Sequence, residues 1–289
     1  MEASEWIEAA LERAIVLAEG AGAPPLLASA MRYAVFPGGH RIRPQLCLAV
    51  SKACGENRPV AAAAAAAAIE LLHCASLVHD DLPCFDDAAT RRGKPSVHAR
   101  YGAPIAVLTG DALIVSAFET LAREAAASPE RLGPLLSIIA AAVGAPGGIV
   151  AGQAWESEAA VPLGDYQRAK TGALFVGSTL AGAAAAATDP APWRGLGEKL
   201  GEAYQVADDL RDVLCDANEL GKPVGQDAAR YRPNAAARLG VGGAKALLKE
   251  LFEAAIGSIP ACPGRTELRK LIAAQTSQFF PKELSLVAA

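Results

Sequence analysis

Residues 4 to 19 place Trp6, Ile7, Ala10, Leu11, Ala14, Ile15 and Ala18 at helical spacing, with Glu5, Glu8, Glu12 and Arg13 opposite. The pattern predicts an amphipathic first helix, stopped by Gly20 and Gly22. Pro24-Pro25 opens a second helix that carries Leu26 to Phe36. A Pro37-Gly-Gly break precedes an apolar helix from Arg43 to Ala53. Arg58-Pro59 then starts a long one that runs through an eight-alanine tract to Asp81, where Pro83 breaks the pattern. Its small side chains permit close packing of neighbours or line a cavity. Further apolar helical stretches cover Ile105–Val115, Leu132–Val143, the region of Gly152 to Glu158, Pro162–Gly182 and Trp193–Cys215. Residues 234–289 add amphipathic helices punctuated by Pro260, Pro263 and Pro281. No stretch is long or polar enough to be a linker. The expectation is one all-α domain over residues 1–289, a single large helical bundle around a central apolar cavity.

Composition agrees, since 52% of the 289 residues are hydrophobic and only 5% aromatic, with Val, Ile and Tyr too dispersed for strands. A net charge of −4 excludes a general nucleic-acid binder. It also means that a polyanionic substrate must be held by local cations and metal, because the overall field repels it. Six cysteines (Cys47, Cys54, Cys74, Cys84, Cys215, Cys262) form no C-x-x-C pair and read as reduced core thiols. The acidic N-terminus does not have the form of a signal peptide. The alanine runs 61–68 and 183–187 are too short and weakly apolar to span a bilayer. A soluble, cytoplasmic protein is expected.

The chemistry concentrates at Leu71–Gly93. An apolar helix delivers Asp80 and Asp81, then come Asp86, Asp87 and the pair Arg91–Arg92. Carboxylates this close repel unless cations compensate them, and a few hard oxygen ligands suit Mg²⁺ shared with substrate phosphates. Arginines nearby can grip phosphate oxygens bidentately. A second cluster, Asp208-Asp209-Leu-Arg-Asp212, puts Asp208 and Asp212 on one helix face at i and i+4. Lone polar groups elsewhere leave more than one reading open. Arg41 and Arg43 after Gly38-Gly39 are phosphate ligands or solvated arginines. Asp111 is a satisfied core carboxylate, a cap partner or a member of the site. Two acid-rich helix ends facing each other would form a polar mouth for Mg²⁺-bridged diphosphate over an apolar interior for a hydrocarbon.

With these residues in view, the chain resembles the trans-isoprenyl diphosphate synthases, nearest to bacterial geranylgeranyl-making members of carotenoid pathways. The resemblance spans about residues 30–230. It rests on Gly38-Gly39-His40-Arg41-Ile42-Arg43-Pro44, Asp80 and Asp86 with the residues between them, Arg91-Arg92-Gly93, Gly110-Asp111 and Gly152-Gln153. Lys170-Thr171-Gly172, Gln205, Asp208-Asp209-x-x-Asp212 and Gly221-Lys222 complete it. It implies Asp80, Asp86 and Asp208 as principal ligands of about three Mg²⁺, with Asp81, Asp209 and Asp212 in or near the shell. It further implies that Arg91, Lys170, Thr171 and Lys222 hold the allylic diphosphate, with Gln205 beside them. Arg43, His73 and Arg92 would hold isopentenyl diphosphate. The implied reaction ionises the allylic C–O bond, adds the isopentenyl double bond to the cation and loses a proton to the released pyrophosphate. A homodimer is the family expectation.

Two departures stand out. His40 occupies a place where the family usually carries lysine, and an imidazole titrates near pH 6.5 when unperturbed. Isopentenyl diphosphate binding is therefore expected to weaken as pH rises through neutrality, and His40→Lys to flatten the dependence. After Lys222 many relatives carry another lysine where this chain offers Arg230 or Arg232. Product length follows from depth: Ala75, five residues before Asp80, stands where farnesyl-making relatives typically hold an aromatic. An α-helix rises about 6 Å in four residues, roughly one isoprene unit. Ala75 thus opens the wall toward Leu71 and Leu72 and favours a C20 product. The alternatives are a C15 synthase, a class I terpene cyclase, or a non-catalytic subunit of a partner synthase. A cyclase needs no second diphosphate pocket, and a binding module has no use for so many repelling carboxylates.

Overall fold

The computed structural model describes residues 3–36, 38–56, 59–124, 126, 128–214 and 234–279. Helices α1 (Ala3–Ala18), α2 (Pro25–Val35), α3 (Ile42–Ala53) and α4 (Val60–Asp80) follow the apolar periodicity closely. A two-residue ladder comes next, β1 (Thr90–Arg91) antiparallel to β2 (Lys94–Pro95). Then follow α5 (Val97–Tyr101), α6 (Ala103–Glu124), α7 (Pro129–Val143) and α8 (Ile149–Ala154), the last continued by a 3₁₀ turn over Trp155–Ser157. The stretch expected as one helix from Pro162 to Gly182 is divided. A short α9 (Leu163–Gln167) leads into a π turn (Arg168–Gly172) and only then into α10 (Ala173–Ala185). The chain continues through α11 (Arg194–Leu214), α12 (Ala235–Ser258) and α13 (Arg265–Phe279).

The alanine tract lies in the core. All eight alanines from Ala61 to Ala68 are buried, and α4 packs against α1, α3, α6, α7 and α10. Two large apolar clusters result. One joins α1, α4, α6 and α7 through Leu11, Leu71, Leu113 and Leu135. The other joins α3, α10, α11, α12 and α13 through Phe175, Trp193, Leu200 and Leu248. Close approach depends on glycine at Gly201, where a Cβ would lie 2.8 Å from the Gly172 Cα. By length and composition α4 and α6 could each cross a membrane, although the alanine runs alone could not. Most of the most apolar window of α4 is buried among other helices, and a little under half of that of α6.

Arg41 is not available to phosphate. Its guanidinium is buried, bonds Glu70 at 2.7 Å and Glu8 at 2.9 Å, and donates to the Val35 carbonyl. A buried charge demands such pairing, so this arginine fastens α1 and α3 to α4. Arg43 alone of that pair faces the site. Asp111 lies exposed on α6, 3.7 Å from His79, and is no core carboxylate.

Candidate active site

Both acid clusters end helices. Asp80 is the last residue of α4, and Asp208 and Asp212 lie in the last two turns of α11. A helix C-terminus carries partial negative charge, so its own dipole adds to the repulsion among these carboxylates. Cations must therefore gather here. After Asp81 the backbone folds back, with the Asp86 N–H donating to the Asp80 carbonyl at 2.9 Å and the Ala88 N–H to Asp81. This turn places the Asp86 carboxylate beside Asp80. A third carboxylate joins them, Glu156 from the 3₁₀ turn after α8. One ligand atom from each of the three lies within 4.8 Å of the others. Glu156 falls within the helical region of Gly152 to Glu158 but outside the donors that the sequence suggests; its position three residues after Gln153 is the available signal.

Arg91 stands between the two clusters. Its guanidinium chelates Asp81 through both oxygens and lies 3.6 Å from Asp80. Burial works against its charge. The Asp81 bonds and the fields of Asp81, Asp80 and Asp208 outweigh that, holding its pKa above the ordinary arginine value. Burial, abetted by Asp80, also pushes the Asp81 carboxyl up, against the pull of Arg91. The adjoining Arg92 and Gly93 both have positive φ, at 53° and 72°. That is the two-residue turn a tight hairpin requires, and it places Arg91 on a strand and Arg92 in the turn of an otherwise helical chain. Lys170 arrives on the π turn. Its ammonium lies 3.3 Å from Asp80 and pairs with Glu156. A Cβ on Gly152 would come within 2.4 Å of the Lys170 backbone, so glycine there lets α8 and the π turn touch.

Each second aspartate does structural work. Asp209 is buried and accepts from Gln205 Nε2 at 2.9 Å and from the Ala235 N–H at 2.7 Å. Its charge thus sits at the N-terminus of α12, where the dipole favours it. Gln205 in turn accepts from the Thr171 hydroxyl at 2.8 Å. Thr171, Gln205 and Asp209 therefore form one chain from the π turn through α11 to α12. Asp81 and Asp209, expected in or near the metal shell, anchor the frame around it.

The second set of cations also comes together. A Cβ on Gly39 would lie 3.1 Å from the Arg92 guanidinium carbon, which brings the Gly-Gly-His turn against the hairpin. Arg43 stacks on Phe175 and Tyr204, 4.7 and 5.2 Å from the ring centroids. Its buried Nε has no hydrogen-bond partner. His73 is held well below the usual histidine pKa, first by burial and then by Arg43, Arg92, Arg91 and Arg41. Arginines converging on a neutral imidazole, with an unpartnered buried N–H among them, form a pocket for an anion. His40 sits exposed at its rim. Lys222, Arg230, Arg232 and Cys215 lie outside the described residues.

The chain-length wall is closed in this structure. Ala75, Leu71 and Leu72 are fully packed, with at most 2% of their surface exposed. The structure does hold a cavity of about 900 Å³, lined among others by Ala141, Gly172, Val176, Gly201, Gln205 and Leu251. It runs along the side of α10 away from α4, so it is not the void foreseen beneath Asp80. The alanine column of α4 serves close packing in this state instead of lining a tunnel.

A helical bundle that gathers carboxylates at two helix ends, with arginine and lysine set among them and a separate basic pocket alongside, has what a metal-dependent diphosphate enzyme requires. The donor set of three carboxylates fits Mg²⁺. Residues 24–266 match the Polyprenyl synthetase family, and the chain belongs to it. It is 54% identical over 285 residues to a geranylgeranyl diphosphate synthase of Cereibacter sphaeroides, covering 99% of both chains. Identity to the geranylgeranyl diphosphate synthase of Rhodobacter capsulatus is 50%, over 94% of each. A geranyltransferase from Helicobacter pylori, solved with magnesium and isoprenyl diphosphate, superposes with a TM-score of 0.79 at 29% identity. That match covers 96% of this chain and 98% of the other. The protein is a prenyltransferase.

Proposed function

We propose that this chain, acting as one domain over residues 1–289, condenses isopentenyl diphosphate head-to-tail with allylic diphosphates to geranylgeranyl diphosphate. The observation that carries the proposal is the gathering of Asp80, Asp86 and Glu156 within 4.8 Å around Lys170, with Arg91 under the joint field of Asp80 and Asp208. Magnesium, about three ions held by Asp80, Asp86, Glu156 and Asp208, would neutralise charge on the departing pyrophosphate. Arg91 and Lys170 bind the allylic diphosphate and stabilise the same developing charge. Arg43, Arg92 and His73, with His40 at the rim, bind isopentenyl diphosphate and orient its double bond. An apolar interior would keep water from the allylic cation.

The C20 product is supported by the two geranylgeranyl diphosphate synthases at 54% and 50% identity. Isoprenoid, and in particular carotenoid, biosynthesis would consume it. We place the protein in the cytoplasm as a soluble homodimer. Val107, Leu108 and Val115 are exposed apolar residues on α6, either side of the exposed Asp111, that suit a second copy. A monomer mass by light scattering at micromolar concentration would remove the dimer. The test of function is purified protein with Mg²⁺, isopentenyl diphosphate and each allylic primer, products sized by mass spectrometry. A dominant C20 product lost on chelation is expected. A C15 end product would overturn the length assignment, and no condensation at all would overturn the function.

A further inference from the structure

Lys170 stands where a cation is needed. Its ammonium reaches Asp80 Oδ1 at 3.3 Å and pairs with Glu156 Oε1, two of the three carboxylates whose ligand atoms converge within 4.8 Å. A compact ammonium with three donors offsets one of the pair's two negative charges and occupies oxygens that a metal ion would take. The two cations compete for the same oxygens.

Glu156 is itself held in place. The Tyr166 hydroxyl donates to Glu156 Oε1 at 2.7 Å, and Gln153 Nε2 donates to Oε2 at 3.1 Å. Tyr166 lies on α9, just ahead of the π turn, and its ring centroid is 5.9 Å from the Lys170 ammonium. The inserted residue of a π turn widens the helix locally. Here the phenol and the ammonium, four residues apart, meet on one carboxylate.

We propose that Lys170 is a built-in counter-ion that yields the Asp80–Glu156 pair to a divalent cation when diphosphate arrives, and that Tyr166 is the positioning residue that keeps Glu156 in the cation site. The inference rests on the diphosphate-binding reading above and deepens it. Without diphosphate the ammonium already offsets part of the carboxylates' charge and occupies their oxygens, so the bare metal binds weakly. With diphosphate present the ammonium gains a new anion, its place falls to the metal, and the two ligands bind with positive coupling.

The test uses the full chain and Mn²⁺, followed by electron paramagnetic resonance with and without inorganic pyrophosphate, corrected for the complex they form in solution. In the wild type, pyrophosphate tightens Mn²⁺ binding. Lys170→Met tightens binding of the metal alone, on the order of tenfold, and shrinks the coupling. Tyr166→Phe weakens Mn²⁺ binding several-fold with the thermal midpoint unchanged, and Glu156→Gln weakens it further. Unchanged or weaker metal-alone affinity in Lys170→Met overturns the exchange. Absence of coupling in the wild type does the same without relying on a variant. Unchanged Mn²⁺ affinity in Tyr166→Phe overturns the positioning role. A wild type that binds neither pyrophosphate nor allylic substrate would instead defeat the diphosphate-binding reading.

Discussion

Consecutive aspartates on a helix point about 100° apart, so Asp80 and Asp81 meet different partners, as do Asp208 and Asp209. The structure resolves each pair the same way. The first residue remains at the site, while the second is buried against Arg91 in one case and against Gln205 and the start of α12 in the other. The motifs were legible in the sequence; the division of labour within them was not, because it depends on which partner a distant element supplies. The same holds for Arg41, which sequence proximity paired with Arg43 and packing assigned to Glu70. Burial and the surrounding arginines also make His73 a stability determinant. Its folded pKa is depressed, so as pH falls below about 6.5 the unfolded chain takes up a proton that the folded chain refuses. The stability that His73 contributes is therefore present above that pH and is lost as the pH drops toward the folded value. The ligand-free protein should melt at lower temperature at pH 5 than at pH 7.5, and His73→Gln should reduce that difference. Equal slopes in calorimetry would contradict the assignment.

Helices α1 to α4 were readable to within a residue or two from apolar periodicity and from proline and glycine punctuation. The hairpin at Arg91–Arg92 and the π turn at Lys170 were not. Each departs from regular helix at a place where a cation must be aimed, and periodicity reports only the regular part. The chain-length argument also belongs to this scale. Ala75 is where the reasoning placed it, five residues before Asp80, yet α4 is closed around it. A growing chain that enters below Asp80 must part side chains now in contact. Ala75→Tyr should then do two things: overpack α4, lowering stability by about 1–3 kcal/mol, and move the main product from C20 to C15. A destabilised variant that still makes C20 would show that the chain is housed elsewhere, with the cavity beside α10 the first place to look.

At the scale of the whole molecule, the all-α bundle and the convergence of residues some 120 positions apart were foreseeable from composition and from the paired motifs. The location of open volume was not, since it depends on how helices settle against one another. What the fold achieves is to bring two helix C-termini, each electrostatically unfavourable for acids, around shared cations. Alone, neither end would hold its carboxylates so close without a price in stability; on the function proposed above, together they make one site. That unity can be measured through kcat of Asp80→Asn, Asp208→Asn and the double variant, at saturating Mg²⁺ and both substrates. Residues that act as a unit lose little more together than apart, so the double variant should be about as slow as the slower single one. Losses that multiply, as for independent sites, would contradict the account.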